Sequence, residues 1–412
     1  MGRCVPGLVV AVGCSIVACS AKQPAPGTIA AVPLPGVVEP EVPIGPGART
    51  PNVVVGGDGL AVLSWQQSAD GGSVRFARRD RQGQWGPTRT LALGSEIFVN
   101  WADFPLVMSR KRGGLTGAWL QRSASGYGIQ WRHSKDDAHG WSAPAALSAH
   151  EGGPEYGFVT LSPAPGDALD AFWLDGRAVT GHGEGAMQLR RATIGGDGVV
   201  RGRALVDDRV CDCCQTASAA TPRGPVVAYR DRSATEVRDI VVAGPEPKQR
   251  RNVGNDHWTI DGCPVNGPAI AASDAGLVVA WFSGARDTSN VQVAFASLSG
   301  PFSATVAVDL GRPLGRVDVA WLDAQHAVVT FLERSGAASG RARFIARSVA
   351  RDGRLGPPWV VGETSVTNGA GFPRIARAGD TIVWTWTADD ATSDHDDATS
   401  VRVVETPVSA LQ

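Results

Sequence analysis

The chemistry available to this 412-residue chain rests on its cysteines, its arginines and a set of acidic loop residues. Of seven cysteines, Cys4, Cys14 and Cys19 fall in an apolar N-terminal stretch. The other four stand as Cys211-Asp-Cys213-Cys214 and, further on, Cys263. An even number of thiols in an oxidising compartment favours disulfides. Four cysteines leave three connectivities open, of which Cys213 with Cys214 is the least favoured because a vicinal bridge is strained. The competing reading is a soft-metal site for Cu(I) or Zn with His257 as a further ligand, although no zinc spacing matches.

Arginine accounts for all but four of the 39 basic residues, the exceptions being Lys22, Lys111, Lys135 and Lys248. So uniform a skew is compositional, and each arginine has to be judged by position. Guanidinium groups grip carboxylates bidentately, and Arg230, Arg232, Arg238, Arg286, Arg316 and Arg374 are the candidates for that role. The candidate catalytic carboxylates are Asp103, Asp231, Glu236, Asp239 and Asp318. Glycoside hydrolysis takes two of them about 5–10 Å apart. Asp231 and Asp239 lie among Arg230, Arg232 and Arg238, a pattern that reads at least as well as a salt-bridged loop.

The elements that must position these residues repeat. An apolar run ending in an aromatic recurs at Trp65, Trp119, Trp173, Tyr229, Trp281, Phe331 and Trp384, at spacings of 50 to 56 residues. Short apolar runs separated by Gly, Pro and Asp turns read as many short strands, and a period of this length accommodates four of them. The expected fold is therefore all-β, a seven-bladed β-propeller of four-stranded blades. Small-residue strands such as PNVVVGGDG and PAIAASDAG come first in each repeat and belong at the axis. The seventh repeat has no residues left for a fourth strand, so residues 36–42 (GVVEPEV) are expected to close the ring. A six-bladed propeller with a decorated end is the alternative.

Chain direction puts the loops before first strands and the loops after second strands on one face. That face collects Trp101, Asp103, Glu155, Tyr156, the four cysteines, Asn266, Asp318 and the candidate arginines. The opposite face receives mainly Gly-Asp-Gly and Arg-Asp-Gly turns. Cys211 and Cys263 occupy matching positions in adjacent repeats, so they should approach one another near the axis.

The segment Ser134-Lys-Asp136-Asp-Ala-His-Gly-Trp141 resembles the Asp box of bacterial sialidases and related propellers, with Ser, Asp and Trp at the right offsets. Asp80 and Trp85 repeat the Asp–Trp offset one blade earlier. The resemblance implies a structural turn and a sialidase-like propeller. It also implies a site of three arginines, a Tyr–Glu nucleophile pair and an Asp acid/base. This chain departs from that pattern. Phe372-Pro-Arg374-Ile375 has the family's arginine motif in a different order, and neither Tyr127 nor Tyr156 has an evident Glu partner in the sequence.

The N-terminus reads as an export signal. A short apolar stretch after Arg3 ends in Ile16-Val17-Ala18-Cys19, which resembles a bacterial lipobox. The expected organisation is a signal peptide over 1–18, a lipidated Cys19 with a Pro/Gly-rich tether and closing strand over 19–50, and one propeller over 51–412. Such a protein would sit in the cell envelope, on the outer membrane, held to the bilayer by its lipid alone. A net charge of −1 offers no footprint for nucleic acid. The functional expectation is a monomeric binding protein, with no required cofactor, for a glycan or small anion. An exo-acting glycoside hydrolase is the runner-up and a soft-metal-binding envelope protein the third reading.

Overall fold

The computed structural model describes residues 30–68, 71–123, 126–148, 155–180, 185–244, 249–336, 339–389 and 399–412. The expected signal segment and Cys19 lie outside them. Seven antiparallel sheets follow one another along the chain, six of them with four consecutive strands and the last with three. The innermost strands are Ala48–Val55, Leu106–Ser109, Tyr156–Ala164, Ala217–Ala219, Ala269–Ser273, Pro313–Trp321 and Arg374–Ala378. The second strands are Ala61–Gln67, Leu115–Ser123, Ala168–Asp175, Val226–Arg230, Gly276–Ser283, His326–Arg334 and Thr381–Asp389. Blade numbers below follow this order, and the fold is the expected seven-bladed propeller.

The aromatic series explains why the blades hold together. Trp65, Trp119, Trp173, Tyr229, Trp281, Phe331 and Trp384 are all at most 3% exposed. Each belongs to a different one of seven apolar clusters, and each cluster joins two adjacent blades. A twisted sheet buries both faces only when flanked by others, so one large side chain per repeat at the same register fills each wedge. Small residues on the inner strands let seven of them converge without clashing.

Closure at the N-terminus is less regular than the sequence promises. Residues 36–42 do not form a strand. Val38 alone pairs with Glu405 on the third strand of blade 7, Thr399–Pro407, exchanging two backbone hydrogen bonds of 2.8 Å. Gly47 then donates to Thr399 O at the far end of that strand, at 3.2 Å. Pro40 and Pro43 lack the N–H groups a continuous ladder needs. Val32–Pro33 instead adds a fifth, parallel strand to blade 6 beside Trp359 and Val360. Arg79 grips Glu405 bidentately at 2.9 and 2.8 Å, and Trp85 Nε1 donates to the same carboxylate at 2.8 Å, so blade 1 latches onto blade 7.

The turn from Ser134 to Trp141 is organised by its own side chains. Ser134 Oγ donates to Asp136 at 2.7 Å, and Asp136 accepts the Gly140 N–H at 2.8 Å. Trp141 packs edge-on against Phe76 of blade 1. Asp80 accepts the Gln82 and Gln84 N–H groups at 2.9 and 2.8 Å in the equivalent turn. These residues build blade corners, and Asp80, Gln84 and Trp85 also line a small pocket of about 260 Å³.

Candidate functional site

Polar side chains at the heads of the inner strands knit neighbouring blades, and this determines what many of the candidate residues do. Asn52 Nδ2 donates to Pro105 O at 3.4 Å, Asp103 accepts the Phe158 N–H, and Gln215 accepts the Gly267 N–H at 2.9 Å. Asn266 accepts the Arg316 N–H at 2.7 Å, and Asp318 accepts the Ile375 N–H at 2.9 Å. Each bond crosses to the next blade. Buried backbone donors must be paired, and small first strands have few side chains with which to do it. Asp103 and Asp318 therefore belong to a ring of inter-blade connectors. Burial without a counter-charge pushes Asp103 up to about 7, partly offset by the Phe158 N–H. Burial also raises Asp318, against the pull of Arg374 and two backbone N–H groups.

The mouth of the axis is roofed. The loop entering blade 2 reaches across it, so that Trp101 stacks on Phe372 at 5.8 Å and lies under the Arg316 guanidinium at 4.9 Å. Ala102 O accepts a bond from Gln215 Nε2 of blade 4 at 2.8 Å. Phe104 packs edge-on against Phe372. The open funnel expected on this face is filled at its centre. Trp101 and Arg316 are parts of the closure, since Arg316 also donates to Gly371 O and Thr367 O at 2.9 and 3.0 Å.

Other candidate arginines are likewise engaged. Arg230 is 1% exposed and donates to the carbonyls of Asn266, Arg238 and Phe282 at 2.6–3.1 Å. Its burial lowers it to about 10. Arg232 binds Glu236 and Asp212, and Arg238 binds Glu236 at 2.6 Å and Cys211 Sγ at 3.4 Å. Asp231 takes Arg250 at 3.0 Å, and Asp239 accepts the His257 N–H at 2.8 Å. The blade 4 loop is thus the salt-bridged structure that its sequence allows. Arg286 stands exposed in the turn Ala285–Asp287, outside the cavity described next.

Beneath the roof runs an axial cavity of about 440 Å³, lined by all seven inner strands. Its lining is buried at the roofed end (Asn52, Thr216, Asp318) and opens at the other, where Ala220 is exposed. Entry is therefore from the face carrying the short turns. Phe104, Asp318 and Arg374 stand at the deep end, with Thr160, Ser162 and Ser218 on the wall. Asn52 Oδ1, Ser162 Oγ and Arg374 Nε are buried atoms with no hydrogen-bond partner in the protein, and all three residues line this cavity. Arg374 makes only an ion pair of 3.4 Å with Asp318 and a contact of 5.2 Å with the Phe104 ring among the described residues.

Two groupings remain on the upper face. The first was not legible in the sequence. Tyr127 does have a Glu partner, because the two residues form a bridge between blades 2 and 3 and the Tyr127 hydroxyl bonds the Glu155 carboxylate. Burial, the Glu155 charge and nearby Asp103 hold the Tyr127 phenol above its usual range. Gly157 makes room here, since a Cβ would lie 2.5 Å from Asp103 Oδ2 and 3.7 Å from the Tyr127 ring. The second is the sulfur cluster. Cys211 and Cys214 are placed to form a disulfide, and their sulfurs and that of Cys213 all lie within 4.8 Å of one another. Cys213 and Cys263 are free thiols, the first half-buried and the second exposed. Cys263 is lowered to about 7 by the bond from Cys213, which is itself pushed up. His257 is no part of this cluster: it is exposed against Asp239 at 3.7 Å.

No family model matches the sequence. No curated protein matches it either. Solved structures do resemble it. A puromycin hydrolase mutant matches over 93% of this chain and 56% of its own, at 15% identity and a TM-score of 0.51. A polysaccharide lyase matches over 85% and 88%, at 9% identity and a TM-score of 0.50. A Hadza microbial sialidase matches over 69% and 63%, at 15% identity and a TM-score of 0.43. The chain thus spans less than two thirds of the length of that sialidase. At these identities the likeness is one of fold, and the class it defines is that of the β-propellers.

Proposed function

We propose that this chain is a lipid-anchored envelope propeller that binds a small acidic glycan in its axial cavity, with Arg374 receiving the carboxylate. The observation that carries this reading is the pair of unpartnered polar atoms Asn52 Oδ1 and Ser162 Oγ around one cavity whose deep end holds Arg374. Buried polar groups are paired in folded proteins, and exceptions among the strands lining one cavity mark a place where a ligand or water completes them. A donor guanidinium together with amide and hydroxyl acceptors matches a sugar acid, which offers a carboxylate and several hydroxyls. Phe104 supplies an apolar face for the ring. The lipobox-like Ile16-Val17-Ala18-Cys19 supports the anchor.

Calorimetric titration with a uronic acid, a sialic acid and a neutral hexose tests the proposal. Acidic sugars should bind one per chain, and Arg374→Gln should weaken them by roughly 10- to 100-fold, the value of a charge-assisted hydrogen bond. Equal affinity for acidic and neutral sugars, or an Arg374→Gln variant that binds normally, contradicts it.

The Tyr127–Glu155 pair favours a second reading, hydrolysis of a glycoside on the upper face. Turnover of fluorogenic glycosides that disappears in Tyr127→Phe supports that reading; absence of turnover across the panel removes it.

A further inference from the structure

The axial cavity holds a second cation. Residues 52–55 of blade 1, 270–273 of blade 5, 318–321 of blade 6 and 374–377 of blade 7 line it. Three steps along a strand span roughly 10 Å, so the cavity is longer than one pyranose ring and accepts two in file. Arg377 stands at the open end of the same strand that carries Arg374 at the deep end. Three carbonyls pin its guanidinium. Nε donates to Gly379 O at 2.9 Å, and one terminal nitrogen donates to Trp321 O and Leu322 O at 3.2 and 2.8 Å. Among the described residues the other terminal nitrogen meets only Asp380, 3.9 Å away, a fully exposed carboxylate that water screens. Asp318, the one acidic residue in the lining among the described residues, is at the deep end and already faces Arg374. Positive charge at the mouth is left without a buried partner.

We infer that the cavity takes an acidic disaccharide, with one carboxylate on Arg374 and the second on Arg377. This rests on the reading of the cavity as an acidic-glycan site. Both guanidiniums border the seam between blades 6 and 7, because Asp318 and Trp321 belong to the inner strand of blade 6. Two acidic rings laid along that seam present their carboxylates in series. A guanidinium already held by backbone carbonyls loses little side-chain freedom when an anion arrives. Thr160, Ser162 and Ser218 on the wall supply partners for the ring hydroxyls.

Calorimetric titration with galacturonic acid, its dimer and a galacturonosyl–hexose disaccharide separates the two carboxylates. The dimer should bind roughly 10- to 100-fold more tightly than the other two, the value of a second charge-assisted hydrogen bond. Added salt should shrink that advantage, since Arg377 is partly exposed at the mouth. Arg377→Gln should bring the dimer down to the affinity of the monomer and leave the monomer unchanged, which also shows that the variant folds. The comparison of the two disaccharides on the unaltered protein needs no variant. A galacturonosyl–hexose that binds as tightly as the dimer overturns the inference, as does an Arg377→Gln variant that still prefers the dimer. If Arg374→Gln weakens the monomer while the dimer gains nothing over it, the second subsite falls and the acidic-glycan reading stands. If no sugar binds, both fall.

Discussion

Asp103→Asn isolates the energetic consequence of burying a carboxyl in the connector ring. The substitution keeps an oxygen to accept the Phe158 N–H but removes the ionisable group. Asp103 is 4% exposed, and burial raises it from 3.8 to about 7. About three pH units at about 1.4 kcal/mol each amount to about 4 kcal/mol. Because the folded value is the higher one, the folded state retains this proton between about pH 4 and about pH 7 while the unfolded chain releases it. The term is thus fully favourable below about pH 4 and diminishes through that window by about 1.4 kcal/mol per unit, then stays flat above about pH 7. The variant lacks the slope. Urea unfolding followed by tryptophan fluorescence at several pH values gives both profiles, and their difference removes every other titrating group. That difference should move in favour of Asp103→Asn by up to about 4 kcal/mol from pH 4 to pH 7. Parallel profiles would refute the reasoning, as would a difference of opposite sign.

Trp101→Ala removes the stack on Phe372 and the contact with Arg316. It should cost about 2–4 kcal/mol by urea denaturation. Glu405→Gln leaves the Arg79 guanidinium facing a neutral amide and weakens the bond from Trp85. A loss of about 3 kcal/mol is expected for breaking a largely buried pair, read as a lower unfolding midpoint. Trp281→Ala empties the wedge between blades 4 and 5 and should cost about 3–5 kcal/mol, or abolish soluble expression.

The scaffold was legible because a propeller repeats its physics. One aromatic per repeat at a constant register is enough to count the blades, and small residues ahead of each aromatic run identify the axis. The closing segment was legible only in part: the chain does return to blade 7, but its prolines reduce the expected strand to the single Val38–Glu405 pair. The site was far less readable. Loops before first strands lie on one face, yet nothing in the repeat says that Asn100–Phe104 crosses the axis while the blade 4 loop folds onto its own arginines. Arg230 and Arg374 look alike in sequence. The first meets three carbonyls, and the second meets a cavity. Tyr127 and Glu155 are far apart in a numbering that hides the blade 2–blade 3 contact, and only the bridge between them brings the pair together. Cys211 and Cys263 hold equivalent positions in adjacent repeats, yet the sulfur that meets Cys211 is that of Cys214, three residues on.

The central claim is that the ligand enters the axis from the face of short turns and stops under the Trp101 roof. A crystal structure of the protein soaked in a uronic acid tests it most directly. The account predicts density in the axial cavity with the carboxylate on Arg374 and hydroxyls on Asn52 and Ser162. Density on the upper face beside Tyr127 and Glu155, with the axial cavity holding only water, would contradict it.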